Sequence, residues 1–196
     1  MGFDLSGINP KMNMKPKELT VYYKYTKMDF SEKWEALDAD EKLKDKYWEE
    51  QRKYEEANPG IYFRNNVWWW RPLWKFVCEE FPDIITDEDA ERGCYNDGHE
   101  IEEDKAMRIG VELTVMLDCG DVQAHKDRYE EHLNSLPQVN CRVCDNNNRG
   151  YKKKKECKCC KQTGLVDDWD KSYPFDVENV REFARFCLES GGFVIC

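Results

Sequence analysis

Four cysteines in two closely spaced pairs constrain this chain more than any other feature of its sequence. Cys141 and Cys144 form the pattern C-x2-C, and Cys157 and Cys160 repeat it after twelve intervening residues. A turn with this spacing directs both of its sulfurs at one metal ion, and two such turns complete a tetrahedron of thiolates. We therefore predict one structural Zn2+ per chain, held by these four residues in a zinc-binding hairpin at 139–166. Four sulfur ligands leave no position open for water, unlike hydrolytic zinc sites.

The charge of the chain is divided unevenly between this hairpin and the rest. Residues 141–164 contain eight Lys or Arg and two acidic residues, an excess of six positive charges, whereas the whole chain has a net charge of −10. The remainder therefore carries about −16, which predicts a basic finger on an acidic body. Four consecutive lysines at the expected tip of the hairpin could bind the phosphates of a nucleic acid, or could form only a solvated tip. They are Lys152, Lys153, Lys154 and Lys155.

Hydrophobic periodicity predicts an α+β fold, with helices packed on a small sheet and the four-cysteine zinc hairpin projecting from it. Residues 2–7 and the apolar tail 193–196 are expected to form strands that pair with each other. Residues 19–25 are rich in β-branched and aromatic side chains, which predicts a further strand. The segment from 82 to 99 has the character of a loop. Apolar residues at helical spacing predict helices within 29–58, from Pro72, over 100–118, from Asp121 and from a cap at Asp176.

This pattern divides the chain into one body with two additions. Residues 1–138 and 167–196 together form the α+β body, and residues 29–58 form a charged helical insertion in it, either one long helix or a broken pair. No stretch approaches the roughly 18 consecutive apolar residues that a membrane span needs. The N-terminus lacks the features of a signal peptide, so ten cysteines favour metal ligation in a reducing cytoplasm over disulfides.

A second candidate site lies within residues 61–74, where four tryptophans fall within seven residues. Trp faces stack on bases, Arg pairs with phosphates and Asn reads base edges, so this segment could form a pocket for a nucleotide or a single-stranded end. The alternative is that most of the tryptophans lie in the core and that the asparagines satisfy backbone groups. The candidate ligand-binding residues are Arg64, Asn65, Asn66, Trp69, Trp70 and Arg71.

Catalysis has little support in the sequence. No nucleophile elbow, phosphate-binding loop, H-E-x-x-H or dinucleotide-binding fingerprint occurs, and no catalytic residue is assigned. The acid–base candidates worth naming are Asp97, His99, His125 and His132.

Two resemblances add to these patterns. The run C-K-C-C-K-Q-T-G at 157–164 resembles the C-x-x-C-x-G-x-G knuckle of DnaJ-type zinc fingers, with Gln162 in place of the first glycine. The chain has no recognisable J-domain, so this resemblance implies a zinc knuckle and no chaperone activity. The segments N-N-V-W-W-W-R-P-L-W at 65–74 and S-G-G-F-V-I-C at 190–196, with M-G-F-D-L at the start, resemble small uncharacterised proteins of bacteriophages and prophages. That resemblance implies a compact protein in a viral or bacterial cytosolic setting, with residues 11–59 as an insertion and no known activity.

We therefore expect a zinc-stabilised, non-enzymatic binding protein, encoded by a phage and acting on a host protein or a nucleic acid in the bacterial cytosol. The alternative is a nucleotide-binding or nucleotide-processing protein that uses the Trp, Asn and Arg cluster at 64–74.

Overall fold

The computed structural model describes residues 2–144 and 157–196, and it confirms the α+β fold. The main sheet contains four antiparallel strands in the order β2-β1-β6-β3, and the helices pack against it. The strands are β1 (Gly2–Gly7), β2 (Tyr62–Asn66), β3 (His99–Ile101), β4 (Val139–Asn140), β5 (Leu165–Val166) and β6 (Phe193–Ile195). The helices are α1 (Thr20–Thr26), α2 (Phe30–Asp38), α3 (Glu41–Ala57), α4 (Val67–Glu80), α5 (Asp87–Arg92), α6 (Glu103–Cys119), α7 (Asp121–Ser135) and α8 (Val177–Ser190).

The two ends of the chain pair at the centre of this sheet, as predicted. In β1, Phe3 and Leu5 are buried in the core while Ser6 is exposed, which is the alternation expected of a strand with one covered face. Leu5 lies opposite Ile195 in the antiparallel pairing of β1 with β6. The backbones of Asp4 and Cys196 exchange two hydrogen bonds of 2.8 Å just beyond this register.

Helix α4 begins before the predicted position at Pro72. The Asn66 side chain accepts hydrogen bonds from the backbone N–H groups of Trp68 and Trp69, at 2.9 and 3.2 Å, and so caps the helix before Val67. Pro72 consequently lies inside the helix, where it removes one backbone hydrogen bond at a cost of about 3 kcal/mol. The helix tolerates this because its inner face, including Trp70, is fully buried in the core.

Helices α6 and α8 make the most extensive contact between any two described elements. Gly110 permits it, because a Cβ atom there would lie 2.7 Å from the Leu188 Cγ atom and 2.9 Å from the Leu188 backbone nitrogen. Asp176 caps α8 by accepting a hydrogen bond from the Asn179 N–H at 3.0 Å, as predicted. Gly191, with φ of 60°, ends the helix in the left-handed conformation that favours glycine.

The strand predicted at 19–25 is wrong, since most of this segment forms α1. The Glu50 carboxylate of α3 accepts hydrogen bonds of 2.8 Å from the N–H groups of Val21 and Tyr22, which satisfies donors in the first turn of α1. This contact between distant residues overrides the β propensity of the local sequence, because such propensity depends strongly on context.

Helices α1, α2 and α3 share a small hydrophobic cluster of their own, centred on Tyr25, Leu37 and Tyr47. Within the charged helical segment predicted at 29–58, the chain forms the broken pair of helices α2 and α3, and α1 packs against them from the N-terminal side. Asn58, at the end of α3, ties this helix to the segment that follows β1. Its buried side chain accepts hydrogen bonds from the backbone N–H groups of Asn13 and Met14.

The segment predicted as a loop from 82 to 99 contains the short elements α5 and β3. Thr86 and Asp89 form a reciprocal capping box that begins α5, and His99 opens β3, which pairs with β6 at the sheet edge. These elements have six and three residues, too few for hydrophobic periodicity to reveal them.

None of the helices in the described parts of the chain combines the length and the apolar character that crossing a bilayer requires.

Candidate metal centre

Strands β4 and β5 form a second, two-stranded antiparallel sheet that brings the two cysteine pairs together. Val139 lies opposite Val166 in this sheet. The Cys141 N–H extends the ladder by donating to the carbonyl oxygen of Gly164 at 2.9 Å. The first C-x2-C turn follows β4 and the second precedes β5, so the pairing of these strands places the two cysteine pairs side by side.

The four predicted ligands, Cys141, Cys144, Cys157 and Cys160, converge in the structure. Their sulfur atoms all lie within 4.8 Å of one another, and all four residues are buried. The Sγ atoms of Cys141 and Cys157 are 3.8 Å apart, and those of Cys144 and Cys160 are 3.6 Å apart. Two sulfurs on a tetrahedral ion with metal–sulfur bonds of about 2.3 Å lie about 3.8 Å apart. The cluster therefore has the dimensions of a four-thiolate metal site.

Local hydrogen bonds shape each turn around this cluster. The Cys144 N–H donates to the carbonyl oxygen of Cys141 at 3.1 Å, which closes the first turn. In the second, the Gln162 N–H donates to the carbonyl oxygen of Cys157 at 3.1 Å. Lys161 and Gln162 adopt φ angles of 49° and 72°, in the left-handed region that residues other than glycine seldom occupy. The second turn thus holds two residues with side chains in a conformation that favours glycine.

The electrostatic environment differs between the sulfurs. Burial raises the pKa of Cys160, but the hydrogen bond from the Gly164 N–H, at 3.3 Å, together with the neighbouring thiols outweighs burial and lowers that pKa to about 6. Burial and the neighbouring thiols raise the pKa of Cys144 to about 12. A bound metal cation would instead lower the pKa of Cys144, because a coordinated thiol is deprotonated.

The donor set narrows the metals that would fit. A tetrahedral site with four sulfurs suits zinc or iron and is a poor match for the hard cations magnesium and calcium, which prefer oxygen. Cys159, beside Cys160 in the sequence, is exposed and is not one of the four mutually close sulfurs, although the nearby Cys141 thiol raises its pKa. The predicted phosphate-binding lysines at 152–155 lie outside the described residues.

The structure spreads the second set of predicted site residues over several environments. Trp70 is fully buried, its indole N–H donates to the carbonyl oxygen of Gly93 at 2.8 Å, and its ring stacks on those of Phe3 and Trp74. Trp69, the preceding residue in the sequence, is half-buried. The buried part of the tryptophan cluster therefore belongs to the hydrophobic core.

The polar members of that set also have separate contacts. Asn65 is buried and donates to the Asn179 side chain at 2.7 Å, while Asn66 is occupied as the cap of α4. Arg64 lies exposed on β2, 3.6 Å from Asp4. The six residues thus do not line one pocket.

Arg71 differs from the rest of that set because it lines a surface cleft. The Arg71 Nη1 group donates to the hydroxyl of Tyr173 at 3.0 Å, and the cleft continues to Trp169 and His132. Trp169 and Tyr173 were missed because they are far from Arg71 in sequence, whereas His132 was named only as an acid–base candidate. The spacing of Trp169 and Tyr173 by four residues, directly after the hairpin, was the one signal available for them.

The acid–base candidates likewise have separate environments. His99 Nε2 is 2.9 Å from the buried Asp89 carboxylate, which also accepts a hydrogen bond of 2.5 Å from the Lys105 ammonium. Asp97 is 2.8 Å from Arg92. Burial acts to raise the pKa of Asp89, but hydrogen bonds from Lys105, Thr86 and His99 outweigh it and hold that pKa well below its usual range.

His125 lies in an aromatic environment, with ring centroids 4.5 Å from that of Phe76 and 4.7 Å from that of Phe175. Burial, followed by the nearby Arg128 charge, lowers the pKa of His125.

Comparison with protein-family models, curated proteins and solved structures gives no match for this chain. The four converging sulfurs are therefore the observation on which a functional assignment has to be built.

Proposed function

We propose that this chain is a zinc-stabilised, non-enzymatic binding protein in which a four-cysteine centre holds a basic hairpin against its partner. The observation that carries the proposal is the cluster of four buried sulfurs with the separations of a tetrahedral thiolate site. Such a closed site contributes folding free energy and leaves no coordination position for a substrate or an attacking water. Its role is therefore structural, and it joins the two cysteine turns.

The partner proposed for this hairpin is a nucleic acid. The segment 141–164 has an excess of six positive charges on a chain with a net charge of −10, before the bound metal and its thiolates are counted. Four thiolates and one Zn2+ contribute −2, so the folded hairpin would still be positive. Lysines that neutralise phosphates release counterions, which makes such binding strongly dependent on salt.

The cellular setting proposed is a bacterial cytosol, with the chain encoded by a phage. Its support is the sequence resemblance of residues 65–74 and 190–196 to bacteriophage and prophage proteins, and the ten cysteines suit a reducing compartment. A host protein is the partner that would take the place of nucleic acid if nucleic-acid binding fails.

The test is binding of a fluorescently labelled single-stranded oligonucleotide to the zinc-loaded protein over a series of salt concentrations. Replacing Lys152, Lys153, Lys154 and Lys155 by alanine is expected to weaken binding strongly and to reduce the slope of log affinity against log salt by up to about 3, at about 0.7 per lost phosphate contact. The matched control replaces four exposed lysines of the helical segment, namely Lys24, Lys42, Lys46 and Lys53. Equal effects of the two quadruple variants would count against a role for the hairpin.

A further inference from the structure

A cleft of about 390 Å3 opens on the body between α4, α7 and the 3₁₀ turn Trp169–Ser172, and none of the four cysteines lines it. This volume is within the range of about 300–1,000 Å3 found for small-molecule sites. The cleft combines aromatic rings with basic groups. The lining residues that matter are Arg71, Lys75, Tyr129, His132, Trp169 and Tyr173.

Hydrogen bonds hold the walls of this cleft in place. The Tyr129 hydroxyl of α7 donates to the carbonyl oxygen of Tyr173 at 2.9 Å, and Arg71 of α4 donates to the hydroxyl of Tyr173 at 3.0 Å. The Trp169 ring meets that of Trp68 edge to face, with centroids 5.1 Å apart, yet Trp169 remains 61% exposed. A large aromatic side chain is thus positioned by its neighbours while much of its surface stays available.

The charge of the cleft contrasts with the acidic chain around it. Within the described residues, the Arg71 guanidinium has no carboxylate oxygen within 4.0 Å. Lys75 is 70% exposed and only loosely paired with Glu79, at 3.7 Å. Asp170 is the one carboxylate in the lining. The cleft therefore offers two cations beside one exposed aromatic ring, that of Trp169, and two half-buried tyrosines.

We propose that this cleft binds a nucleotide, with the base stacked on Trp169 and the phosphate bound by Arg71 and Lys75. Aromatic side chains stack on every base because each base has a π face, and the planar guanidinium of arginine suits phosphate oxygens. Asp170 accepts hydrogen bonds from ribose hydroxyls or from a base amino group. The site shares only Arg71 with the pocket predicted from the sequence, and it goes beyond the proposed role of the metal-stabilised hairpin.

The nucleotide could be free or could be one residue of a single strand, so the experiment uses two probes. Isothermal titration calorimetry measures binding of AMP and of a 5′-phosphorylated hexathymidylate to the zinc-loaded protein at fixed salt. The variants Arg71→Met and Trp169→Leu are each expected to lower the affinity for the probe by roughly tenfold or more. Arg64→Met is the matched control, because Arg64 is an exposed arginine outside the cleft lining, and it should leave affinity unchanged.

The outcomes separate the two sources and the two proposals. Binding of AMP that is lost in both cleft variants identifies a free nucleotide, whereas binding of the oligonucleotide alone with the same losses identifies a strand. Absence of binding by either probe at millimolar concentration overturns the inference, as does binding that Arg71→Met and Trp169→Leu leave intact in folded protein. Replacing Lys152–Lys155 by alanine should spare AMP binding, so a failure of the hairpin proposal and a failure at the cleft are distinguishable.

Discussion

Gln162 adopts a backbone conformation that glycine adopts more readily than other residues, and this makes Gln162→Gly a sharp test of the second knuckle. Its φ angle is 72°. A residue with a side chain pays about 1–2 kcal/mol for the left-handed conformation, and glycine does not. Glycine is more flexible in the unfolded hairpin, and ordering it on folding offsets about 0.5–1 kcal/mol of the relieved strain. The net expectation is that Gln162→Gly stabilises the folded hairpin by about 0.5–1 kcal/mol.

Metal binding and folding of such a hairpin are coupled, so this gain should be seen as tighter zinc binding. A stabilisation of about 0.5–1 kcal/mol corresponds to roughly two- to fivefold in the dissociation constant. Competition for zinc with a chromophoric chelator, at constant pH, measures that ratio directly for the wild-type and variant proteins.

Gly164→Ala is the matched opposite of this change, two residues further along the chain. Gly164 has φ of 83°, so the added Cβ atom introduces the strain of about 1–2 kcal/mol that Gln162→Gly removes. Alanine recovers about 0.5–1 kcal/mol of this by making the unfolded hairpin less flexible, so we expect zinc binding to weaken by about 0.5–1 kcal/mol. If Gln162→Gly binds zinc no more tightly than the wild type, or if both variants change affinity in the same direction, then backbone strain at this turn does not govern metal binding.

Three further predictions concern the body of the protein. Gly110→Ala should lower the unfolding free energy by about 1 kcal/mol in urea titrations, because overpacking against the Leu188 backbone, at about 1–3 kcal/mol, outweighs the roughly 1 kcal/mol gain in helix propensity. Stabilisation would contradict the packing described for α6 and α8. Asp89→Asn should cost about 1.5–3 kcal/mol at neutral pH, because it removes the buried carboxylate that accepts the hydrogen bond of the partly exposed Lys105 ammonium, and an unchanged melting temperature would argue against this pair. Burial lowers the pKa of His125, so the stability that depends on its neutral form is fully present above the ordinary pKa of about 6.5 and is lost as the pH falls below that value. His125→Phe should therefore lose less unfolding free energy than the wild type between about pH 7.5 and pH 5.5. Equal losses would refute this.

The elements that the sequence predicted well are those whose signals are local. The cap at Asp176 and the stop at Gly191 define α8 with the residues next to them, and the spacing of the cysteine pairs requires only two tight turns. The first strand was recognisable by its apolar alternation and the last by its continuous apolar run, and the two strands pair in the sheet as predicted.

The features that the sequence did not predict depend on residues far apart in the chain. Residues 19–25 have the composition of a strand, and it is the Glu50 carboxylate, some thirty residues away, that satisfies the first turn of α1. The arginine and tryptophan side chains at 64–74 were grouped because they are adjacent in sequence, whereas the strand and helix that carry them direct Arg64 and Arg71 to different parts of the surface. The cleft beside Arg71 forms only when α7 and the turn at Trp169 are in place.

The most direct test of the central claim is native mass spectrometry of the purified protein, with and without a zinc chelator. Our account predicts one zinc per chain, lost on chelation and absent from the double variant Cys144→Ser with Cys160→Ser. The control Cys159→Ser should retain its zinc, because Cys159 lies outside the four-sulfur cluster. A wild-type chain without metal, or a zinc that the double variant keeps, would contradict the assignment of these four cysteines as the site that folds the hairpin.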